Sequence, residues 1–325
     1  MTYRFESLRT RIIVFFAVLL ILIQGLAFVL VNTANYQIAK QTIEQELGVG
    51  ERIFLRLLEQ NRDQLEQSAT LLASDFAFRT AVGTRDSATI MSVLTNHGAR
   101  ASAGVMLLVS LDQVVLADTL HPETRSQPFK FSRLTQVAEA KGKSSGIVTI
   151  DGKLYQLVMV PVLAPAAIAW VGIGFNIDDK TAEDLKKLTA LDVSFLSRAG
   201  AGPWQMHAST LPESLRSQLL PAIASSSNSD NAQDIALAGE DFEARIAKIE
   251  IQGETQVVAI LQRSLAETMK PFKRVSNAFL SLAIISLILS MIGSHHRPKH
   301  HAPDQPARRC RQAHRAWRQH PTRRA

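Results

Sequence analysis

The stretch GIVTIDGKLYQLVMVPVLAPAAIAWVGIGFNID, residues 146–178, contains three apolar segments rich in β-branched side chains. The first two segments flank Asp151 and Gly152, a dipeptide that supplies the positive φ angles of a type I′ hairpin turn. The third segment, residues 167–177, follows a break at Pro165. Because short turns join antiparallel neighbours, this stretch predicts three adjacent strands of an antiparallel sheet.

The residues before this hairpin extend the same sheet. The stretch VMLLVSLDQVVLADT, residues 105–119, forms two β-rich runs around a short turn. Further back, Asp86 has the character of an N-cap for a helix at residues 87–97, which Gly98 is expected to end. The sequence therefore predicts about five antiparallel strands preceded by helices, which is an α+β arrangement.

A similar but smaller pattern follows. In chain order it predicts a helix from Asp178 or Asp179 to Leu188, a strand at 191–196, a helix at 211–224, a polar loop at 225–231, and a hairpin at 242–251 and 255–264. The chain is thus expected to hold two α+β units in tandem.

Two apolar stretches lie outside these units. Residues 12–31 contain Gln24 as their only strongly polar side chain, and twenty helical residues span about 30 Å, the thickness of the hydrocarbon core. We interpret this stretch as an uncleaved signal anchor, with a cleaved signal peptide as the alternative. The second stretch, Ala278–Ile292, is short for a span but apolar on every side, and a buried core helix is its alternative.

Charge distribution sets the expected orientation. Arg4, Arg9 and Arg11 precede the first apolar stretch, which places the N-terminus in the cytoplasm by the positive-inside rule. The net charge of +7 arises in the tail after the second stretch, which alone carries +8 and leaves −1 for the rest of the chain. A nucleic-acid groove therefore has no support outside the tail, and nucleic acid is not expected as a partner.

Between the first apolar stretch and the first unit, the sequence predicts a long stalk helix. Leu58, Leu65 and Leu72 recur every seven residues, with Leu47 and Phe54 at the companion heptad positions. Two interpretations remain open, and both can hold at different heights. The helix packs on its own domain, or it pairs with a second copy to form a homodimer. The glycines at positions 48 and 50 are expected to weaken the helix locally.

Catalytic signatures are weak. Gly172-x-Gly174 and Gly200-x-Gly202 lack the third glycine of a dinucleotide-binding motif, and no GxSxG, HExxH or P-loop motif occurs. One cysteine in 325 residues excludes a disulfide scaffold and a cysteine-rich zinc module. We therefore expect no enzyme, no cofactor and no metal site in the folded part.

The order of these elements resembles the double Cache extracytoplasmic sensor region of bacterial transmembrane signalling proteins, the type that precedes HAMP and diguanylate cyclase or phosphodiesterase modules. The stretches that carry the resemblance are residues 71–82 (LLASDFAFRTAV), 85–119 and 146–178. The resemblance covers about residues 36–268 and both apolar stretches. It implies PAS-like folds for both units, a ligand pocket in the membrane-distal unit, and signal transmission through the long helix and the second span.

The expected organisation follows from these observations. In chain order it comprises a cytoplasmic N-terminus (1–11), a first transmembrane helix (12–31), a stalk helix (32–75), a membrane-distal unit (76–190), a membrane-proximal unit (191–268), a second transmembrane helix (278–294) and a basic tail (295–325). Residues 32–277 are expected on the periplasmic or extracellular side of the bacterial inner membrane, with both termini in the cytoplasm.

Four polar side chains near apolar strands are candidates for binding a small ligand: Arg79, Arg100, Asp118 and Tyr155. An arginine can hold a carboxylate through a bidentate contact, and Tyr155 can close the pocket. The alternative for each residue is a surface ion pair or a half-buried tyrosine. The ligand itself is not specified by the sequence.

The tail has three interpretations: a basic segment attracted to anionic lipid, a metal site at His295, His296, His300 and His301, or an out-of-frame end of a longer gene. We favour the third, because Arg, His, Pro and Gln occur there without aliphatic residues.

The expectation is therefore a sensor that lacks its output domain and transmits a signal through its second span. The alternative is a membrane-anchored interaction or assembly module without a ligand.

Overall fold

The structure, a computed structural model, describes residues 8–123, 126–225, 232–249 and 255–295. The helices are α1 (Leu8–Ser74), α2 (Phe76–Thr84), α3 (Ser87–Arg100), α4 (Ser132–Lys141), α5 (Asp179–Thr189), α6 (Glu213–Ser225), α7 (Leu265–Thr268) and α8 (Lys270–His295). The strands are β1 (Val105–Val109), β2 (Val114–Asp118), β3 (Gln127–Pro128), β4 (Ser144–Ile150), β5 (Lys153–Leu163), β6 (Ala167–Ile177), β7 (Asp192–Ala199), β8 (Gln205–Ser209), β9 (Gln233–Leu237), β10 (Glu240–Ile249) and β11 (Thr255–Ser264).

These strands form two antiparallel sheets with one repeated topology. The first sheet has the order β3-β2-β1-β6-β5-β4, and the second has the order β8-β7-β11-β10-β9. Without the two-residue strand β3, the two orders correspond strand for strand, and α4 and α6 occupy the same place in the two repeats. The predicted α+β fold, with a long N-terminal helix and two tandem antiparallel units, is confirmed.

The hairpin that dominates the sequence forms as predicted. Strands β4 and β5 pair in register from Ile150 opposite Lys153 to Ser144 opposite Met159. The turn residues Asp151 and Gly152 have φ angles of 50° and 74°, the left-handed values that a type I′ turn requires.

Helix caps also follow the sequence. The Asp86 carboxylate accepts a hydrogen bond from the Thr89 backbone N–H at 3.2 Å and begins α3. The Asp178 carboxylate does the same for Thr181 at 3.0 Å and begins α5. Each cap satisfies a backbone donor that the first helical turn leaves without a partner.

The heptad side chains of α1 are buried against other elements of the same chain. Leu47, Phe54 and Leu58 join the core on one face of the second sheet, and Leu65 and Leu72 join the core on one face of the first sheet. The five side chains are between 0% and 8% exposed. Packing of the stalk on its own domain therefore accounts for the predicted seam, and pairing with a second copy would use other residues.

Two expectations about local structure are corrected. Helix α3 continues past Gly98 to Arg100, because a Cβ at Gly98 would lie 2.9 Å from Met106 Cγ and glycine lets α3 pack closely on β1. The second sheet has five strands, two more than the strand and hairpin predicted, since β8 and β9 form its edges. Helix α1 runs through both glycines at positions 48 and 50, and the local weakening expected there stays a prediction.

The described residues divide into two compact units, Val31–Val275 and a second unit that contains residues 8–30 and 276–295. Among the described residues, one helix is long and apolar enough to cross a membrane. It is α1, whose most apolar window of 18 residues has a mean hydropathy of 2.9 and is not buried. Within the unit that contains residues 8–30 and 276–295, Gln24 Nε2 of α1 donates a hydrogen bond to Ser286 Oγ of α8 at 2.7 Å. The predictions for the cytoplasmic N-terminus before residue 8 and for the tail after His295 fall outside the described residues.

Candidate functional site

The two faces of the first sheet are covered by different elements. Met106 and Leu108 point to the face on which α1, α2 and α3 pack. Leu107 and Tyr155 point to the opposite face, where α4 and the segment before it pack. Successive strand residues alternate between faces, so each strand contributes to both cores.

A cavity of about 250 Å³ lies on the α4 face of the first sheet. It is found where β2 ends and where β4 turns into β5. Its lining combines apolar and aromatic side chains with titratable ones, in the manner of a small-molecule site. The lining residues are Leu107, Val115, Asp118, His121, Gln127, Pro128, Phe129, Lys130, Phe131, Thr149, Ile150 and Asp151.

Asp118 is the buried carboxylate of this cavity. It is the last residue of β2, directly opposite Leu107 of β1, and is only 9% exposed. Its Oδ1 accepts a hydrogen bond from the Leu120 backbone N–H at 2.8 Å, which orients the carboxylate at the end of the strand. The other oxygen, Oδ2, faces His121.

His121 bridges two carboxylates. Its Nδ1 lies 2.9 Å from Asp118 Oδ2, and its Nε2 lies 2.7 Å from Asp151 Oδ2. A carboxylate can only accept, so both contacts are hydrogen bonds only when both ring nitrogens carry protons. The hydrogen bond with Asp118 and the charges of both carboxylates raise the pKa of His121 above its usual value. When protonated, the imidazolium of His121 can therefore donate to both carboxylates at once.

Tyr155 lies in the core of the same face rather than in the lining. It belongs to β5, is 4% exposed and packs with Val148 and Leu157. Burial raises the pKa of its hydroxyl, and the charges of Asp151 and Asp118 add to the rise. The phenol therefore stays protonated. Tyr155 shares a core with the cavity residues Leu107 and Phe129 but does not line the cavity itself.

The two candidate arginines lie elsewhere. Arg79 is in α2 and Arg100 ends α3, and both helices pack on the opposite face of the sheet. The Nη1 group of Arg79 donates to the Leu163 carbonyl at 3.4 Å, and Arg100 is exposed. Of the four candidates, Asp118 lines the cavity and Tyr155 lies in the adjoining core, whereas Arg79 and Arg100 do not line the cavity. Ligand binding by any of these four residues stays a prediction.

Sequence reasoning missed His121 and Asp151 as site residues. His121 follows Asp118 by three residues, and the sequence predicts Asp151 only as a turn residue. Their contact at 2.7 Å joins positions thirty residues apart and depends on the β4–β5 hairpin reaching the end of β2. Within the described ranges, no group of three His, Cys, Asp or Glu side chains is placed to hold a metal ion.

Comparison with known proteins identifies the family. The family model described as "Double sensory domain of two-component sensor kinase", a double Cache model, matches residues 40–287, about three quarters of the chain. The chain belongs to the double Cache family. The resemblance inferred from the sequence is thereby confirmed, and this family is one of sensory domains.

Solved structures similar to this double Cache chain come from several bacteria. The sensory domain of the Campylobacter jejuni chemoreceptor Tlp3 is 13% identical, with a TM-score of 0.44 over 73% of this chain and 98% of its own. A sensory box/GGDEF family domain from Vibrio parahaemolyticus is 12% identical, with a TM-score of 0.47 over 73% of this chain and 100% of its own. The ligand-binding domain of the Pseudomonas fluorescens chemoreceptor CtaA, in complex with L-isoleucine, is 10% identical, with a TM-score of 0.46 over 73% of this chain and 97% of its own. No curated protein matches the sequence.

Proposed function

We propose that this double Cache chain is a membrane-anchored extracytoplasmic sensor that binds a small polar molecule in the cavity at Asp118. The observation that carries the proposal is the contact of His121 with both Asp118 and Asp151 at the lining of that cavity. Groups that titrate and pair at the lining of a pocket are typical of functional sites.

The charges of the cavity indicate the kind of ligand. Its volume of about 250 Å³ limits the ligand to a small molecule. A cationic or strongly donating group on the ligand would compete with His121 for Asp118 and Asp151. Lys130, exposed at the rim, offers a partner for an anionic group at the other end of the ligand. A small polar molecule with both kinds of group suits this arrangement.

Two contacts lead from the cavity to the rest of the folded unit. Next to Asp151 in the hairpin turn, the Gly152 carbonyl accepts a hydrogen bond from Nδ1 of His207 in β8 at 2.8 Å. Burial lowers the pKa of His207, so the ring is neutral and its Nε2 accepts from Ser197 Oγ at 2.6 Å. A shift of the turn would therefore reach the second sheet directly.

The second contact leads to the stalk. Gln156 follows Tyr155 in β5 and points to the other face, where its Nε2 donates to the backbone carbonyl of Leu58 in α1 at 2.8 Å. Ile147, Leu154 and Ile177 of the first sheet also share one core with the stalk and the second sheet. Ligand binding can shift the balance between two packings of this core only by its differential affinity for them.

For the membrane part we propose two spans, α1 through residues 12–31 and α8 through residues 278–294, with residues 32–277 outside. The hydrogen bond between Gln24 and Ser286 supports this proposal, because a polar side chain in hydrocarbon needs a partner on a neighbouring helix. A cysteine placed at exposed Asp112 should react with an impermeant maleimide added to intact cells. Labelling only after lysis would contradict the topology.

Thermal shift of the full chain in nanodiscs tests ligand binding. We expect one or more compounds in a panel of small amines, carboxylates and amino acids to raise the melting temperature. At a hundredfold excess over Kd, stabilisation is about 2.7 kcal/mol. Asp118→Asn should abolish this shift, whereas Asp112→Asn, a change of an exposed aspartate in the β1–β2 turn, should leave it intact. A panel without any stabiliser would favour the assembly-module alternative.

The pH dependence of the same assay follows from His121. Its raised pKa means that the bridge stabilises the fold fully below about pH 6.5 and that this contribution is lost as pH rises through the raised pKa. A cationic ligand competes with the imidazolium, so its affinity should increase over that rise. An affinity that falls as His121 loses its proton would contradict the proposed competition.

A further inference from the structure

The second sheet has a cavity of its own, on the face covered by α6. Its volume is about 800 Å³, within the usual range of 300–1,000 Å³ for small-molecule sites. It lies between α6, the loop from β7 to β8, and the facing parts of β10 and β11. Because the two sheets repeat one topology, this is the face that corresponds to the α4 face of the first sheet.

One arginine of this cavity is held in place. The Arg198 guanidinium stacks on the Trp204 ring with 4.5 Å between its central carbon and the ring centroid. Its Nε also donates to Gln256 Oε1 at 2.8 Å, across the β7–β11 pair. Within the described residues, its two terminal nitrogens make no hydrogen bond. The side chain is therefore oriented in advance, with its bidentate edge available to a carboxylate.

The rest of the lining is mostly apolar. Lys248 lies at the cavity as well, and no aspartate or glutamate is found among the described lining residues. The apolar part of the lining includes Trp204, Leu220, Ile223, Ile246, Val257 and Val258. The guanidinium of Arg198 next to an apolar surface favours a ligand that has an anionic group and a hydrocarbon or aromatic body. It disfavours amines and small neutral polar molecules.

We propose that this cavity is a second ligand site, which binds a small carboxylate with an apolar body. Arg198 would hold the carboxylate through its terminal nitrogens, and the apolar lining would bury the body of the ligand. The site is separate from the one at Asp118 and does not depend on it. One chain would then receive two chemically different signals, one on each sheet.

Fluorine NMR with para-fluorophenylpropionate as the probe tests this site in the full chain in zwitterionic nanodiscs. We expect saturable binding to the wild-type chain. Arg198→Gln should weaken binding about tenfold or more, as expected for loss of a charge-assisted bidentate contact. Arg133→Gln, which removes an exposed arginine from α4, is the charge-matched control and should leave the affinity unchanged.

Three more variants separate loss of binding from loss of folding. Leu220→Trp fills the cavity without touching Arg198 and should also weaken binding, while Asp118→Asn should have no effect on this probe. Arg198→Lys keeps the charge and should retain part of the affinity if Arg198→Gln acts through charge rather than through misfolding. The proposal is overturned if the wild type binds no probe up to its solubility limit. Equal binding of the probe by Arg198→Gln, or equal affinity for para-fluorophenylpropylamine, would overturn it as well.

Discussion

Replacing Phe54 by alanine is expected to lower the free energy of unfolding by about 3–5 kcal/mol, the cost of removing a fully buried phenylalanine. Phe54 is 1% exposed and its ring centroid lies 5.5 Å from that of Phe195 in β7. Alanine would leave a cavity between α1 and the second sheet. For a folded unit of this size, the loss corresponds to a melting temperature lower by roughly 6–20 °C.

The adjacent residue supplies the control for this prediction. Leu55 is 43% exposed, so Leu55→Ala should change the melting temperature little. The two variants distinguish the alternatives that the heptad pattern leaves open. If Phe54 and its heptad partners formed a dimer seam, the loss in Phe54→Ala would diminish at high protein concentration. Packing within one chain requires a loss that is independent of concentration.

The parts of the fold that could be predicted are those set by local chemistry. The Asp151-Gly152 turn needs only two residues with positive φ, and the flanking segments are β-rich runs that lie next to each other in the sequence. The caps at Asp86 and Asp178 depend on one side chain and a backbone N–H three residues later. Signals of this kind lie within a few residues and do not depend on the rest of the molecule.

The edge strands of the second sheet could not be predicted for a physical reason. The β8 residues Gln205–Ser209 include glutamine, histidine and serine, and only the last two of these five residues are buried. Strand β8 pairs with β7, where Ser209 meets the Ser194 hydroxyl, and His207 finds its partner in the first sheet, at the Gly152 carbonyl. No short window of sequence contains these partners.

Only part of the candidate site could be predicted from the sequence, for the same reason. Asp118 could be selected as a polar residue at the end of an apolar strand. His121 and Asp151 acquire meaning only when the hairpin and the end of β2 come together. The arginines looked equally suitable in sequence, but helices α2 and α3 place Arg79 and Arg100 on the other face of the sheet. Which face a helix covers is a tertiary property.

The second large effect on stability is expected at two glycines of α1, Gly48 and Gly50, which are two residues apart. Gly50 is buried, and a Cβ there would collide with Leu191 Cδ1 and lie 3.8 Å from Leu261 Cδ1. Gly48 is partly exposed, and a Cβ there would meet only Arg52 Nη1, at 3.8 Å. Glycine at position 50 therefore lets the backbone of α1 rest directly on the core of the second sheet, whereas glycine at position 48 has no such role.

Leucine at each position should consequently have opposite effects. Gly48→Leu should stabilise the protein by up to about 1 kcal/mol, because leucine is a far better helix former than glycine. Gly50→Leu gains the same helix propensity but forces a side chain into a filled core, and should destabilise by about 1–3 kcal/mol. Thermal unfolding of the two full-length variants, compared with the wild type, measures the difference. Equal stabilisation by both would mean that α1 stands away from the second sheet, and the proposed route from the cavity through Gln156 and the stalk would lose its mechanical basis.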